Sequence, residues 1–406
     1  MIASAPSNPR ARAALALPLA ALLFACTTAG AGGVTAGVPV ATAMPSSAAV
    51  AAADPSAAVL EVRSGPPASD PYRAAVAQAF KQGKDVKDGK NADYIPALAK
   101  VDAHLYGIAL VTASGAIYEI GNSRSEFSIQ SVSKPFTLAR LIEAVGLDSV
   151  RKRIGANATG QKFNSILAVE LNQSQKRPPP GNPLVNAGAI ATVDMIPAKN
   201  ATEKWDVISG LYNAFAGRQL SLNQEVYRSE SETNAHNRAI VALLQDYEVV
   251  KGDPAEALDL YTRQCSVNVS ARDLAIMGAT LANGGRNPVT GQTVVSPATA
   301  SQVLAVMATA GLYETTGDWL VTTGVPAKSG VGGGIVAVLP GRYAIGTFAP
   351  PLDDAGNSVR GQKAIEAIVQ ALGGGVFSSR ASARGTTAQV STPGAPVAAA
   401  AAQKGN

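Results

Sequence analysis

Gln130-Ser131-Val132-Ser133-Lys134-Pro135 places a hydroxyl and an amine three positions apart. In a helical turn, side chains at that spacing share a face and come within reach of one proton. Far downstream, Lys328-Ser329-Gly330 opens a glycine-rich, β-branched run. A serine nucleophile, a lysine base and a distant Lys-Ser-Gly strand together describe acyl transfer without a catalytic histidine. The chain has only two histidines, His104 and His236, in 406 residues, so a Ser-His-Asp arrangement has little material. A Ser-x-x-Lys spacing alone is a weak signal that a surface helix also produces, so the surroundings decide.

Upstream, the β-rich runs Leu105–Thr112 and Ala116–Ile120 are joined by Ala113-Ser114-Gly115 and predict a hairpin. Pro135 suits the first turn of a helix running through Phe136–Val145 to Gly146, which puts Ser131 at a helix N-terminus. There the macrodipole and free N–H groups favour a developing anion. Lys134 acts as a base only when neutral, and burial or a second cation such as Lys328 would lower its pKa. Downstream, segments 202–216, 234–246, 270–283 and 297–309 carry apolar residues at helical spacing. The loop Asn172–Asn182, with Pro178-Pro179-Pro180-Gly181, interrupts them. Leu320–Thr323, Gly333–Leu339 and Tyr343–Phe348 then read as successive strands, and Ser358–Leu372 as a closing helix. Both ends therefore build one antiparallel sheet with a helical subdomain inserted between them, an α+β arrangement.

The termini are of another character. Residues 1–26 combine Arg10 and Arg12 with an apolar run, Ala13–Ala25, that is short for a membrane span and reads as a secretory signal. Leu23-Phe24-Ala25-Cys26 resembles a bacterial lipoprotein cleavage site, with Phe24 bulkier than usual there. The expectation is lipidation of Cys26 and a cell-envelope or periplasmic, membrane-anchored protein. The alternative is cleavage near Ala25 and a soluble secreted or periplasmic product. Residues 27–70 form a low-complexity tether, 71–375 the catalytic domain and 376–406 a low-complexity tail. With Cys26 lipidated, Cys265 is left single, a small buried side chain without a disulfide partner.

The net charge is +5, yet lysines and arginines are scattered. The nearest cluster, Lys81, Lys84, Lys87 and Lys90, is interleaved with aspartates and reads as a solvated face, so nucleic-acid binding has no support. No Cys/His grouping has metal-ligand spacing. Gly330-Val331-Gly332-Gly333-Gly334 lacks the spacing of a phosphate loop and leads into a strand, which favours close backbone approach to a substrate. Three polar clusters have an ordinary reading. Asn186 would cap a helix, Ser229–Arg238 would be a capped helix start with acidic residues in its first turn, and Tyr261 and Tyr313 would be amphipathic core.

Taken in order, however, the blocks resemble a known family. They are Ala92-Asp93-Tyr94-Ile95-Pro96, Gln130-Ser131-Val132-Ser133-Lys134, Asn182–Ile190, Ser229-Glu230, Asn237-Arg238, Tyr261, Gly311-Leu312-Tyr313 and Pro326–Val331. The set is similar to the serine-dependent glutaminases, which share the β-lactamase/transpeptidase-like fold, and covers about 70–375. The resemblance implies hydrolysis of L-glutamine to L-glutamate and ammonia, without a cofactor. By it, Ser131 attacks the side-chain amide, Lys134 accepts the proton, Tyr313 relays one, and the Ser131 and Val331 N–H groups hold the oxyanion. Glu230 receives the α-ammonium; Tyr94, Asn186, Asn237 and Tyr261 hold the α-carboxylate and flank the substrate; Gln130 lines the pocket. Lys328, Ser329 and Gly330 support the site, and a homodimer or homotetramer is implied. The leader and tether depart from a family associated mainly with cytoplasmic enzymes, the proline-rich loop looks long, and the tail carries no family feature. Two rivals use the same residues: a β-lactamase or penicillin-binding protein, which leaves Glu230 and Asn237 without a task, and a non-catalytic amino-acid-binding lipoprotein.

Overall fold

A computed structural model describes residues 70–378. The leader, Cys26, most of the tether and the tail beyond Ser378 lie outside the described residues. The described residues begin with α1 (Pro71–Gly83) and α2 (Pro96–Ala99), then the hairpin β1 (Gly107–Thr112) and β2 (Ile117–Gly121). Next come the short β3 (Phe127–Ser128), a 3-10 turn (Gln130–Ser133) and α3 (Lys134–Val145). The insertion runs through α4 (Leu147–Arg153), α5 (Ile166–Ser174), α6 (Asn186–Met195), α7 (Ala201–Ala216), α8 (Gln224–Thr233), α9 (Ala235–Asp246) and α10 (Pro254–Cys265). It ends with β4 (Asn268–Val269), α11 (Ala271–Ala282) and α12 (Pro297–Ala310). A 3-10 turn (Tyr313–Thr315), α13 (Thr316–Thr323), β5 (Ala327–Ser329), β6 (Gly334–Leu339), β7 (Tyr343–Phe348) and α14 (Val359–Ala371) complete it.

The five-stranded sheet has the order β2-β1-β7-β6-β5 and is antiparallel throughout. First and last strands of the chain are thus neighbours, as the sequence predicts, and the helical insertion hangs between them. Period-two alternation gives the sheet two buried faces. Ile108, Leu110, Ile335 and Ile345 pack with residues of α1 and α14, while Ala109, Val111, Val336 and Ala344 join the core of the helical insertion. The second face carries the smaller residues because α11 lies directly on it. A Cβ on Gly278 of α11 would fall 2.6 Å from a Val336 methyl, and one on Gly346 of β7 would fall 2.1 Å from the Ala271 carbonyl. Substitution at either would push the helix off the sheet.

Three readings are corrected. Leu320–Thr323 is the end of α13, not a strand: Trp319 is buried and donates its indole N–H to the Val325 carbonyl, whereas Val321 is 90% exposed. Gly324, at φ 66°, closes that helix, so the β-branched residues obey tertiary packing rather than propensity. Ser229–Arg238 is not a helix start but the junction of two helices, α8 ending at Thr233 and α9 beginning at Ala235. The capped start lies earlier, where Asn223 accepts from the Val226 N–H. Finally, Asn172–Ser174 still belong to α5, so the proline-rich loop is shorter than predicted. The lysine cluster is exposed and Cys265 is a small buried side chain, as expected.

Candidate active site

Ser131 sits in the 3-10 turn immediately ahead of α3, rather than in the helix itself, with Lys134 one turn later as the helix begins. The turn is anchored where the Ile129 N–H donates to the Val267 carbonyl at 2.8 Å. Gln130, at φ 50°, holds a left-handed conformation that non-glycine residues rarely adopt. The glycine run lies against this turn: a Cβ on Gly332 would fall 2.4 Å from the Ser128 carbonyl, and one on Gly330 would fall 3.2 Å from the Ser131 nitrogen. Close backbone approach is thus realised, but against the serine turn. Among the described residues, neither the Ser131 nor the Val331 N–H has a hydrogen-bond acceptor, although both residues are buried. Backbone N–H groups in buried residues are normally paired, so two such donors left free beside a serine are suited to an anionic oxygen.

Lys134 is 1% exposed and donates to Asn186 Oδ1 at 2.7 Å. Burial pushes its pKa down to about 8, partly opposed by the nearby Glu230. Lys328 is also fully buried; its amine donates to the Ser329 carbonyl at 2.7 Å and lies 3.9 Å from the Tyr313 ring centroid. In the sheet register Lys328 shares a row with Val336 and faces the helical insertion, while Ser329 shares one with Ile335 and faces α1 and α14. The Ser329 side chain is therefore turned away from Ser131. Burial, and then the charge of Lys134, hold the Lys328 amine well below the usual lysine range. The expected influence is reversed: Lys134 perturbs Lys328, and burial alone lowers Lys134.

Tyr313, at φ 56°, begins its own 3-10 turn and presses its ring between Lys328 and Phe163, whose ring centroid is 5.1 Å away. The Lys134 amine lies 5.7 Å from the centroids of both Tyr313 and Tyr261. Burial raises both phenols well above their ordinary pKa, so each keeps its proton at neutral pH. Among the described residues the Tyr313 hydroxyl is buried without a hydrogen-bond partner of full geometry, with Ser131 as its neighbour.

The remaining residues enclose the same space. Glu230, near the C-terminal end of α8, is buried and accepts from Gln130 Nε2 at 3.2 Å. Desolvation raises its pKa to about 7, offset only in part by the Gln130 hydrogen bond and the charge of Lys134. Asn186 does not cap α6. Asn182 accepts from the Leu184 and Val185 N–H groups ahead of that helix, leaving the Asn186 amide to bridge Lys134 and Asn237 Oδ1, the latter at 2.9 Å. Tyr94 stands half exposed at the rim, on a segment whose Ile95 packs with Val331 and whose Ala97 N–H donates to Ser229. Phe163, Asn234 and Thr262 were not singled out from sequence. Asn234 lies three residues before Asn237 and accepts from its amide at 2.6 Å. That i, i+3 spacing is the only sequence signal it carries.

A serine with a buried amine one turn away, two free N–H groups and a recessed carboxylate can bind a small zwitterion and cleave an acyl bond. Among the described residues no His/Cys/Asp/Glu group could hold a metal ion. Comparison with known proteins agrees with this chemistry. The family model described as Glutaminase matches residues 89–377. A glutaminase of Colwellia psychrerythraea is 52% identical over 299 residues, 74% of this chain and 95% of that protein. A solved structure described as a probable glutaminase, ybaS, matches with a TM-score of 0.74 at 46% identity, covering 76% of this chain and 99% of that one. The Bacillus subtilis glutaminase YbgJ, solved as a covalent complex with 5-oxo-L-norleucine formed from 6-diazo-5-oxo-L-norleucine, matches with a TM-score of 0.66 at 29% identity. It covers 75% of this chain and 98% of that one.

Proposed function

The chain belongs to the glutaminase family, an amidohydrolase acting on glutamine, and from that premise we propose that it works through an acyl-enzyme on Ser131 with Lys134 as base. Ser131 Oγ attacks the δ-carbonyl carbon of L-glutamine while its proton passes to the Lys134 amine. The developing oxyanion is taken by the Ser131 and Val331 N–H groups, which have no other acceptor among the described residues. The C–N bond then breaks, and the nitrogen leaves as ammonia after receiving that proton from Lys134, directly or through the Tyr313 hydroxyl. Water attacks the glutamyl-serine ester, gives its proton back along the same route, and releases L-glutamate. Glu230 takes the α-ammonium; Gln130, Asn186, Asn237, Tyr261 and the rim residue Tyr94 meet the rest of the amino acid. Lys328 fixes the end of β5, from which Gly330 and Val331 lead off.

The observation that carries this reading is Lys134 itself: fully buried, held at 2.7 Å by one amide, and lowered to about 8, so that a useful fraction is neutral near pH 7. A relative that forms a covalent complex with a glutamine-like diazoketone supports the covalent route. Treatment with 6-diazo-5-oxo-L-norleucine, followed by peptide mass spectrometry, tests it. The expected result is one adduct on the peptide containing Ser131, and loss of both adduct and ammonia release in Ser131→Ala. An adduct elsewhere, or ammonia release by Ser131→Ala at the wild-type rate, would overturn the mechanism.

A further inference from the structure

Behind Lys134 runs a line of hydrogen bonds that crosses four helices and points one way. Lys134 Nζ donates to Asn186 Oδ1 at 2.7 Å, and Asn186 Nδ2 donates to Asn237 Oδ1 at 2.9 Å. Asn237 Nδ2 donates to Asn234 Oδ1 at 2.6 Å, Asn234 Nδ2 donates to Thr262 Oγ1 at 3.0 Å, and the Thr262 hydroxyl donates to the Leu258 carbonyl at 2.9 Å. Asn234 is 6% exposed and Thr262 1%, so water is a poor substitute partner at that end.

Each amide in such a line can turn over and exchange its oxygen for its nitrogen, and only the ends choose between the two senses. A backbone carbonyl accepts and cannot donate, so Leu258 fixes the Thr262 hydroxyl as donor. Thr262 Oγ1 must then accept from Asn234, and each successive amide is set until Asn186 presents oxygen to Lys134. The reversed line would aim the Asn186 NH₂ at the amine, which only an unprotonated lysine tolerates. The anchored sense therefore grips the amine by one N–H, aims its remaining positions towards Ser131, and supports the ammonium form that must appear once Ser131 has given up its proton. It also distinguishes Lys134, lowered to about 8, from Lys328, whose amine donates to a backbone carbonyl instead of a side-chain amide.

We propose that Asn234 and Thr262 are positioning residues of the hydrolytic site, which set the orientation of Asn186 and Asn237 and through them the proton affinity of Lys134. The proposal rests on Lys134 being the base, as argued above. Its test uses Thr262→Val, Asn234→Ala and the conservative Thr262→Ser in the full chain. Two measurements are made: the pH profile of kcat with L-glutamine, and the titration of the Lys134 ε-carbon by 13C NMR, which needs no turnover.

Thr262→Val and Asn234→Ala are expected to lower plateau kcat about tenfold, the effect of one misdirected hydrogen bond on a barrier. Both should move the acid limb and the Lys134 titration to lower pH, because an amide that can turn its NH₂ to the amine disfavours the ammonium. Thr262→Ser restores both. If either variant folds with the Lys134 titration unmoved, or Thr262→Ser behaves as Thr262→Val does, the two residues are merely structural and the proposal falls. If the Lys134 titration shifts as expected in Thr262→Val and Asn234→Ala while Ser131→Ala still releases ammonia, the mechanism above is overturned and the orientation device stands.

Discussion

Lys134 and Lys328 are buried to nearly the same degree in one site, yet the two regions that hold them treat the same amine differently. Lys134 starts α3 and meets the helical insertion, which supplies the Asn186 amide oxygen at 2.7 Å and the field of Glu230. Lys328 lies on β5 and meets only its neighbour's carbonyl, an aromatic face and the charge of Lys134. Burial alone drives both towards neutrality; partners decide how far each goes. Lys134 is left able to gain and lose a proton near neutral pH, while the Lys328 amine is held well below the usual lysine range. Insertion tunes the chemistry, and the sheet supplies rigidity.

The largest expected effect breaks this comparison at its active side. Lys134→Ala should lower kcat by about 10²- to 10⁴-fold, the usual weight of a positioned general base. Folding should be retained, because the alanine leaves no unpaired buried charge. Steady-state ammonia release, checked against circular dichroism, reads both. A folded Lys134→Ala with activity within tenfold of wild type would move the base elsewhere, with Lys328 the first candidate.

The next effect concerns the partner that keeps Lys134 titratable. Glu230→Gln should raise KM for glutamine about 10- to 100-fold with a smaller change in kcat, as expected for a charge-assisted contact to an α-ammonium. It should also simplify the pH profile. In the wild type kcat/KM requires both Glu230, at about 7, and Lys134, at about 8, to be deprotonated, so it climbs with pH across both. In Glu230→Gln only the lysine step remains. The same carboxyl leaves a mark on stability. Its native pKa of about 7 is raised above the ordinary 4.5, so between those values the unfolded chain releases a proton that the folded one keeps. Stability from this group is full below 4.5 and falls as pH rises towards 7, and chemical denaturation of Glu230→Gln should lose that slope.

The sheet and its inserted helices were legible because strand alternation and helix spacing are local. The hairpin at Ala113–Gly115, helices α7, α9, α11 and α12 of the insertion and the order of sheet-forming ends all follow from them, whereas α10 does not. Leu320–Thr323 was misread because β-branched residues alone cannot announce that Trp319, one position earlier, will be the buried anchor. Ser131 and Lys134 were legible as a pair, since three residues is also a distance. Asn186 and Glu230 looked like helix furniture, and only tertiary packing turns one amide onto Lys134 and strands one carboxylate indoors. Asn234 and Thr262 gave almost no signal: their importance lies in the direction of a hydrogen-bond line assembled from four helices.

The smallest effect is the sharpest test of the comparison. Lys328→Met keeps an unbranched chain of similar length under the Tyr313 ring but removes the donor to the Ser329 carbonyl. Leaving that carbonyl unpaired should cost about 1–3 kcal/mol of stability. If the downward shift leaves Lys328 neutral, it exerts no field on Lys134, and the acid limb of kcat should stay where it is while kcat falls less than about tenfold. If Lys328 instead carries charge, its removal relieves repulsion, the Lys134 pKa rises, and the limb moves to higher pH. A stationary limb keeps the two lysines in different roles. A limb displaced upward makes them one coupled pair, and the proton shared between sheet and insertion rather than held by the insertion alone.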